Sequence, residues 1–273
     1  TISAAATATG PITATLGTAS LTAGAVDFAA NNIAKTFTLN HSSGALASAA
    51  GAYRLTVAGA NWAKNDGLSN IVAYTGYEAG NYAGGAMTAD KNYALVDGTA
   101  IATNQGATTN TLKITTSTTG QSIAISTGAT FTLGSMLFAG ANDYAISTAG
   151  TGKIAATLLH NYGAGTLTLG TLGAALTQYG TGKTILNGGN ALGDYAMVIA
   201  GGTVQISSNL QIGTNANSTV KGVTLNNGTL LASDNLALDA DGAGLRARTI
   251  TLGAGGGTLA AASTKTLTVS GVI

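Results

Sequence analysis

The sequence contains no cysteine, a single proline and very little charge. Only 8% of its 273 residues are charged, against about 25% in ordinary globular domains. Without cysteine the fold gains no disulfides, so it depends on hydrogen-bonded ladders and an apolar core. The net charge of +1 provides no basic surface. We therefore expect no nucleic-acid partner.

Long apolar runs are missing as well. No stretch approaches the roughly 18 apolar residues that cross a bilayer, so we expect no membrane span in this chain. Residue 1 is Thr, and no charged segment followed by an apolar stretch precedes it. Residues 267–273 are still strand-like where the sequence stops. We interpret the chain as a processed product or an excised piece of a longer protein.

Glycine, threonine and small apolar residues make up much of what remains. The 40 glycines are roughly twice the average share. Aromatic residues are only 5%, so Ala, Val, Ile and Leu must build the core. Threonine interleaved with glycine favours many turns between short strands rather than disorder.

One short phrase, Gly-Thr followed by an apolar residue, returns three times near the C-terminus. Its copies begin at Gly202, Gly228 and Gly257, with starts 26 and 29 residues apart. Three-residue segments with apolar ends and a polar or small middle predict strands with one buried face. These segments are 204–206, 210–212, 223–225, 236–238, 250–252 and 267–269. Short strands repeated every 20 to 30 residues or so indicate a solenoid.

The same alternation extends toward the middle of the chain. It includes 112–114, 123–125, 131–133 and 166–169, and the phrase Gly-Thr-Gly-Lys at 150–153 returns at 180–183. In a stack of coils, each strand bonds to the equivalent strand above and below. Neutral Thr, Ser, Asn and Gln ladders stack there without charge repulsion. We predict an all-β fold, a β-solenoid, with regular coils over 112–273.

The earlier part of the chain is less regular. We interpret residues 1–30, rich in Ala and Thr, as a capping or partner-contact segment. Residues 31–111 are predicted to hold irregular first coils, with a Tyr/Trp/Gly-rich insertion near residues 58–98. Its aromatic residues are Trp62, Tyr74, Tyr77, Tyr82 and Tyr93. They predict either a recognition or subunit-contact surface, or a small core that packs the insertion on the rod.

The isolated motifs of the sequence do not indicate catalysis or cofactor binding. Residues 180–184 resemble the end of a phosphate-binding loop. That motif requires a glycine five positions before Gly182, and position 177 is Thr. His41 and His160 have no Cys or second His at ligand spacing, so we interpret them as surface or loop residues. Arg246 and Arg248 flank one alanine and are predicted to point outward from a short strand.

Acidic residues are scattered, mostly in turn-like settings. Asp234, Asp239 and Asp241 lack the paired glycines and the bidentate Glu of calcium loops, so we interpret them as a solvated turn. Catalysis by a carboxyl acid and a carboxylate base needs the two groups within roughly 5 to 10 Å of each other. The best candidates for such work are Asp66, Asp90 and Asp97. We expect no catalytic, cofactor or metal site.

Two long phrases resemble autotransporter-associated β-strand repeats. They are GTGKTILNGGNALGDYAMVIAGGTVQISSNLQIG at 180–213 and GGGTLAAASTKTLTVSGVI at 255–273. The resemblance covers residues 30–273, with AMVIAGGTV at 196–204 as a looser version of the family's common phrase. It implies a right-handed parallel β-helix, exported by a bacterium and displayed at the cell surface or released from it.

Together these observations predict an extracellular structural or adhesive β-solenoid rather than an enzyme. Such a protein forms fibres by end-to-end stacking of coils, or stands on the bacterial surface as a passenger. The expected partner is therefore a further copy at the end of the stack. The alternative is a glycan-binding or glycan-cleaving β-helix that uses the Tyr/Trp block on surface glycans.

Overall fold

The computed structural model confirms an all-β chain. It describes residues 25–28, 55–65, 71–79, 87, 89, 91–95, 101–103, 108–188, 196–213, 222–238 and 248–273, and the backbone of 13–14 and 38–39. Across these residues the chain consists of short strands, turns and one 3₁₀ helix, Asn209–Ile212.

The first seven strands are short and precede the regular coils. They are β1 (Thr13–Ala14), β2 (Val26–Phe28), β3 (Thr38–Leu39), β4 (Leu55–Val57), β5 (Asn61–Asn65), β6 (Ile71–Ala73) and β7 (Glu78–Ala79).

The remaining strands build the rod. They are β8 (Asn92–Leu95), β9 (Ile101–Thr103), β10 (Thr108–Ile114), β11 (Gln121–Ile125), β12 (Thr130–Phe138), β13 (Tyr144–Thr148), β14 (Lys153–Asn161), β15 (Thr166–Leu169), β16 (Leu176–Gly180), β17 (Lys183–Leu186), β18 (Met197–Ile199), β19 (Thr203–Ile206), β20 (Val223–Leu225), β21 (Gly228–Ala232), β22 (Leu236–Ala237), β23 (Ile250–Leu252), β24 (Gly257–Ala261) and β25 (Leu267–Thr268).

Strands β8 to β21, with β23 and β24, alternate between two parallel sheets, whereas β22 and β25 pair with each other in a separate two-stranded sheet. The nine-stranded sheet runs β7-β8-β10-β12-β14-β16-β18-β20-β23, and the eight-stranded sheet runs β9-β11-β13-β15-β17-β19-β21-β24. One coil spans 19 residues between the paired Asn92 and Thr111 and 27 between Thr224 and Thr251. Because each coil adds one strand to each sheet, the chain is a parallel β-solenoid, as the repeated short strands predicted.

The Gly-Thr-apolar phrases stack directly on one another. Gly228 pairs with Gly257, and Thr229 pairs with Thr203 on one side and Thr258 on the other. The three threonines therefore form a ladder in which like residues repeat from coil to coil. This repeat marks equivalent positions in the coil, as predicted.

The Gly-Thr-Gly-Lys phrases do not stack in this way. Lys153 begins β14 and pairs with Thr130 in the nine-stranded sheet. Lys183 begins β17 and pairs with Thr166 in the eight-stranded sheet. The interpretation of the Gly-Thr-Gly-Lys phrase as a coil repeat is therefore wrong, because the two copies begin strands in different sheets of the rod.

Apolar rows run along the inside of the rod from coil to coil. Leu112, Met136 and Leu159 occupy equivalent inward positions of β10, β12 and β14 and are fully buried. Each such side chain contributes about 1.5–3 kcal/mol when it is fully buried. The core is therefore a continuous column that no single coil can complete.

Long strands of the nine-stranded sheet turn a corner at equivalent positions. The pairing skips Asn110 in β10, Gly134 in β12 and Thr157 in β14. The alternation of inward and outward side chains is interrupted there, because Leu133 and Met136 are three residues apart and both lie in the core. Strict period-two alternation therefore misses the second half of these strands.

Polar side chains in the turns and at the end of β13 join neighbouring coils. In each case a side-chain oxygen accepts a hydrogen bond from a backbone N–H one coil later. The pairs are Asp143 with Thr166 (2.7 Å), Thr148 with Thr171 (2.9 Å), Asn226 with Gly255 (2.8 Å) and Asn235 with Thr266 (2.9 Å). These bonds satisfy backbone donors that the sheets leave outside their ladders.

Residues 210–212 form part of the 3₁₀ helix, not the predicted strand. The Ser208 hydroxyl accepts a hydrogen bond from the Leu210 N–H, and the Gln211 side chain accepts one from the Ser208 N–H. This reciprocal capping box satisfies the free donors of the first turn. Local capping here overrides an apolar-polar-apolar pattern that fits a strand equally well.

Arg248 is fully buried against this helix, so its predicted outward orientation is wrong. Its guanidinium donates to the Asn209 side-chain oxygen at 3.0 Å and to the carbonyls of Ile212 at 3.0 Å and Gly213 at 2.7 Å. Carbonyls at the end of a helix have no partner within it. A planar group with five donors can satisfy several of them at once. Arg246 lies outside the described residues.

Replacing Arg248 with Met keeps an apolar side chain of similar length but removes all of these donors. The buried carbonyls would lose their partners, and we expect the free energy of unfolding to fall by about 3 kcal/mol. Chemical denaturation measures it. The control Lys265→Met removes an exposed ion pair with Asp234 (2.8 Å), which solvent screens. Equal losses in both variants would contradict the assigned role of Arg248.

Tyr144 carries a buried hydroxyl inside the core, with no hydrogen-bond partner among the described residues. Burial raises the pKa of this phenol above its usual value near 10. Tyr144→Phe should therefore stabilise the protein by about 1 kcal/mol at neutral pH, because a buried hydroxyl without a partner is unfavourable.

The same substitution should change the alkaline behaviour. Above about pH 10 the unfolded phenol ionises while the folded one stays protonated, so the Tyr144 contribution falls as pH rises. The Phe variant lacks that contribution, and its advantage over the native protein should grow between pH 7 and pH 10.5 or so. A Phe variant that is less stable at pH 7 would overturn this assignment.

Candidate functional site

The aromatic block forms a small sheet unlike the rod. Strands β2, β4, β5 and β6 make a four-stranded sheet, which we call the cover sheet. β4 pairs with β5 and β5 with β6 in antiparallel fashion. Among the described strands these are the antiparallel pairs, and both strands of the β5–β6 pair lie within the insertion predicted near residues 58–98.

The cover sheet packs on the outside of the nine-stranded sheet. One outward-facing row there consists of Lys113, Leu137, His160 and Tyr179, which occupy paired positions of β10, β12, β14 and β16. We call these four residues the outer row. Their neighbours along each strand, such as Met136 and Leu159, point into the core.

Three contacts fix the cover sheet over the outer row. The Trp62 ring meets the His160 ring edge-on, with centroids 5.2 Å apart and planes at 84°. The Asn61 side-chain oxygen accepts a hydrogen bond of 2.6 Å from the Lys113 ammonium. Gly59, with φ of +60°, lies against Tyr162 so closely that a Cβ would fall 2.7 Å from the ring.

The packing buries the central residues of this interface. Trp62, Leu137 and His160 are each 0% exposed, and the His160 ring is also 5.4 Å from that of Tyr179. The interpretation of His160 as a surface or loop residue is therefore wrong. It faces outward from its strand, but a distant segment of the chain covers it.

Tyr74 and Tyr77 remain half-buried at the rim of the cover sheet. Their rings meet edge-on at 4.9 Å. The Tyr77 hydroxyl accepts a hydrogen bond from the Trp62 backbone N–H at 3.1 Å, and the Tyr74 hydroxyl donates to the Gly76 carbonyl at 2.7 Å. Both hydroxyls thus help to fix the local backbone.

The structure separates the remaining predicted residues from this group. Tyr93 lies in β8 inside the rod, buried in the core and paired with Leu112. Tyr82 lies outside the described residues. Of the five aromatic candidates, only Tyr74 and Tyr77 thus present part of a described ring to solvent. The burial of Trp62 favours the small-core interpretation for that residue.

Charged groups at the cover sheet are few and partly desolvated. Burial lowers the pKa of Lys113, whose ammonium lies 5.1 Å from the centre of the Tyr77 ring. The Asp27 carboxylate accepts hydrogen bonds from the Thr56 hydroxyl (2.9 Å) and the Gly59 N–H (2.8 Å). Asp27 therefore holds a turn of the cover sheet. Burial raises the pKa of the Tyr162 phenol, whose ring lies against Gly59.

The segment that resembled a phosphate-binding loop serves the rod itself. The Thr184 hydroxyl is fully buried and accepts a hydrogen bond of 2.9 Å from the Asn161 side chain. A Cβ on Gly182 would collide with the oxygen of that same side chain. Glycine is required here by the close approach of the Asn161 side chain.

Among the described residues, no group of three His, Cys, Asp or Glu side chains lies close enough to hold a metal. Asp234 pairs with Lys265, and hydrogen bonding to that ammonium lowers its carboxyl pKa. Several acidic and histidine candidates lie outside the described residues: His41, Asp66, Asp90, Asp97, Asp239 and Asp241.

Sequence reasoning missed Lys113 and His160 as members of this interface. Lys113 was the polar middle of an apolar triplet, and His160 lay in a strand that changes phase at its corner. No local signal links either residue to the segment around Trp62, which is 51 residues from Lys113 and 98 from His160 along the chain.

Trp62→Ala should destabilise the protein by about 3–5 kcal/mol, because it empties a fully buried site between two sheets. Tyr74→Ala, at the half-buried rim, should cost less than half as much. Chemical denaturation of both variants measures the difference. If Trp62 serves recognition instead, its replacement would leave the unfolding free energy nearly unchanged.

Comparison of the chain with protein-family models, with curated proteins and with solved structures gives no match. Among the described residues, no helix is long and apolar enough to cross a membrane.

Proposed function

We propose that this protein is a structural β-solenoid of the bacterial cell surface or its surroundings, which assembles by stacking coils end to end. The observation that carries the proposal is the edge formed by β23 and β24, the last strands of the two long sheets. There the apolar column of the core reaches the surface.

At this edge, side chains that are buried at the equivalent positions of earlier coils become exposed to solvent. Ile199, Leu225 and Leu252 follow one another in the nine-stranded sheet. The first two are fully buried, whereas Leu252 is 50% exposed. In the eight-stranded sheet, Leu230 is fully buried while its partner Leu259 is only partly buried. A further coil would bury the exposed Leu252 and complete the burial of Leu259.

The C-terminal segment reaches this edge at one point, where the Val272 carbonyl accepts a hydrogen bond of 2.9 Å from the Ile250 N–H. Strands β23 and β24 themselves carry none of the devices that usually block strand addition. Proteins protect exposed edges with charged side chains, proline or bulges. β23 reads Ile-Thr-Leu and β24 reads Gly-Thr-Leu-Ala-Ala, without charge or proline. Parallel addition of a like strand continues the threonine ladder through Thr258. A second copy of this chain is the occupant that we assign.

Export and display rest on the resemblance to autotransporter-associated repeats. The low charge and the absence of cysteine suit a neutral ladder held by hydrogen bonds. We assign no catalysis to the chain, since each described aspartate for which a contact is known holds a turn: Asp27, Asp143 and Asp234.

The glycan-binding alternative rests on a narrow surface. Carbohydrate stacking requires open ring faces. Trp62 and Tyr93 are buried within the chain, so Tyr74 and Tyr77 are the described rings of the predicted aromatic block that remain available to a glycan. The exposed coil edge is therefore the stronger candidate interaction surface.

Leu252→Lys places a charge on the edge and should weaken self-association by about tenfold or more. Leu210→Lys is the matched control, because Leu210 is also exposed, at 37%, but lies on the 3₁₀ helix. Analytical ultracentrifugation over a concentration series measures association, and electron microscopy shows whether the particles extend into filaments.

Native protein that stays monomeric at every concentration would overturn the proposal. Equal effects of the two lysine variants would also contradict it, because association would then not depend on the β23–β24 edge.

A further inference from the structure

We propose that Lys113 and Asn61 join in an isopeptide bond that fastens the cover sheet covalently to the rod. The proposal is independent of end-to-end assembly. It concerns two side chains that are 52 residues apart in sequence and meet across the interface between β5 and β10.

The two reacting groups are already in contact. The Lys113 nitrogen lies 2.6 Å from the Asn61 side-chain oxygen. A carbonyl bond is about 1.23 Å long, so the amide carbon lies within about 3.8 Å of the amine. Reacting atoms in productive intramolecular complexes are typically about 3–3.5 Å apart. A small rotation of the amide is enough to reach this separation.

The surroundings favour the nucleophilic form of the amine. Lys113 is half-buried at the interface with the cover sheet. Burial lowers its pKa, which increases the share of neutral amine at neutral pH. Desolvation activates lysines as nucleophiles in this way in covalent catalysis.

Both side chains are held on rigid elements. Lys113 lies in β10 with paired strands on either side, through Ala94 and Leu137. Asn61 begins β5, where it pairs with Val57 and precedes the fully buried Trp62. Holding two reactants together in this manner raises their effective concentration by orders of magnitude.

The reaction balances without an oxidant, a reductant or a co-reactant. The neutral Lys113 amine attacks the amide carbon of Asn61, and a new C–N bond forms. The bond from that carbon to the original amide nitrogen breaks, and this nitrogen leaves as ammonia after taking a proton from the attacking amine. The product is a secondary amide, and the released ammonia takes up the proton that the lysine ammonium first lost.

Such a bond would supply the kind of cross-link that a cysteine-free chain cannot make with disulfides. It would close a loop between residues 61 and 113, which restricts the unfolded chain as a disulfide does. The cover sheet would then stay on the rod even under conditions that separate non-covalent contacts.

Intact-mass spectrometry of the full denatured chain tests the proposal. We expect a mass about 17 Da below the sequence mass, since one ammonia is lost in covalent lysine transfer to an amide. Asn61→Ala and Lys113→Arg should each have their full sequence mass. The control Lys153→Arg, at an exposed lysine of β14, should keep the deficit.

Tryptic digestion locates the bond. Peptide 55–64 should be joined to peptide 92–153, because trypsin cannot cleave after an acylated Lys113. Native protein at its full sequence mass would overturn the proposal. A deficit that persists in Asn61→Ala and Lys113→Arg would also overturn it, since ammonia loss at an asparagine–glycine sequence such as Asn227-Gly228 would then be the source.

Discussion

The parallel hydrogen-bonded ladder between successive coils is the interaction on which this structure depends. Each coil is too small to bury its own apolar side chains, and each strand leaves half of its backbone groups for the next coil. The ladder places identical positions about 4.8 Å apart. Charges in such rows would repel one another, which is why threonine and asparagine occupy them. The composition and the architecture thus have one physical origin.

The same dependence accounts for the turns. Asp143, Thr148 and Asn226 each accept a backbone N–H from the following coil. Residues that looked like scattered loop polarity therefore continue the ladder around the corners of the rod. The buried Arg248 has a similar role at the 3₁₀ helix, because it donates hydrogen bonds to backbone carbonyls that face the interior.

The cover sheet creates a second environment on the outside of the rod. An outward-facing row would ordinarily be polar and solvated, yet Leu137 and His160 are fully buried there. The row is closed by Trp62 from a segment that precedes the rod in the chain. This interface brings together Lys113 and Asn61, and it removes Trp62 from contact with solvent.

The sequence by itself determined the repeating unit. Period-two alternation and the Gly-Thr phrases reflect local geometry, because a strand buries alternate residues and a coil needs a turn at each corner. That information lies within a few residues, so strands such as Val223–Leu225 and the register of Gly228 with Gly257 follow from it. It was misleading at 210–212, where a capping box and a strand pattern coincide.

Only the tertiary structure decided which outward residues are covered and which stay exposed. The burial of His160, the contact of Lys113 with Asn61 and the interior position of Arg248 all depend on segments that are tens of residues away in sequence. Alternation reports the face on which a side chain lies but not what packs against that face. For this reason the rod could be predicted from the chain, and the chemistry on its surface could not.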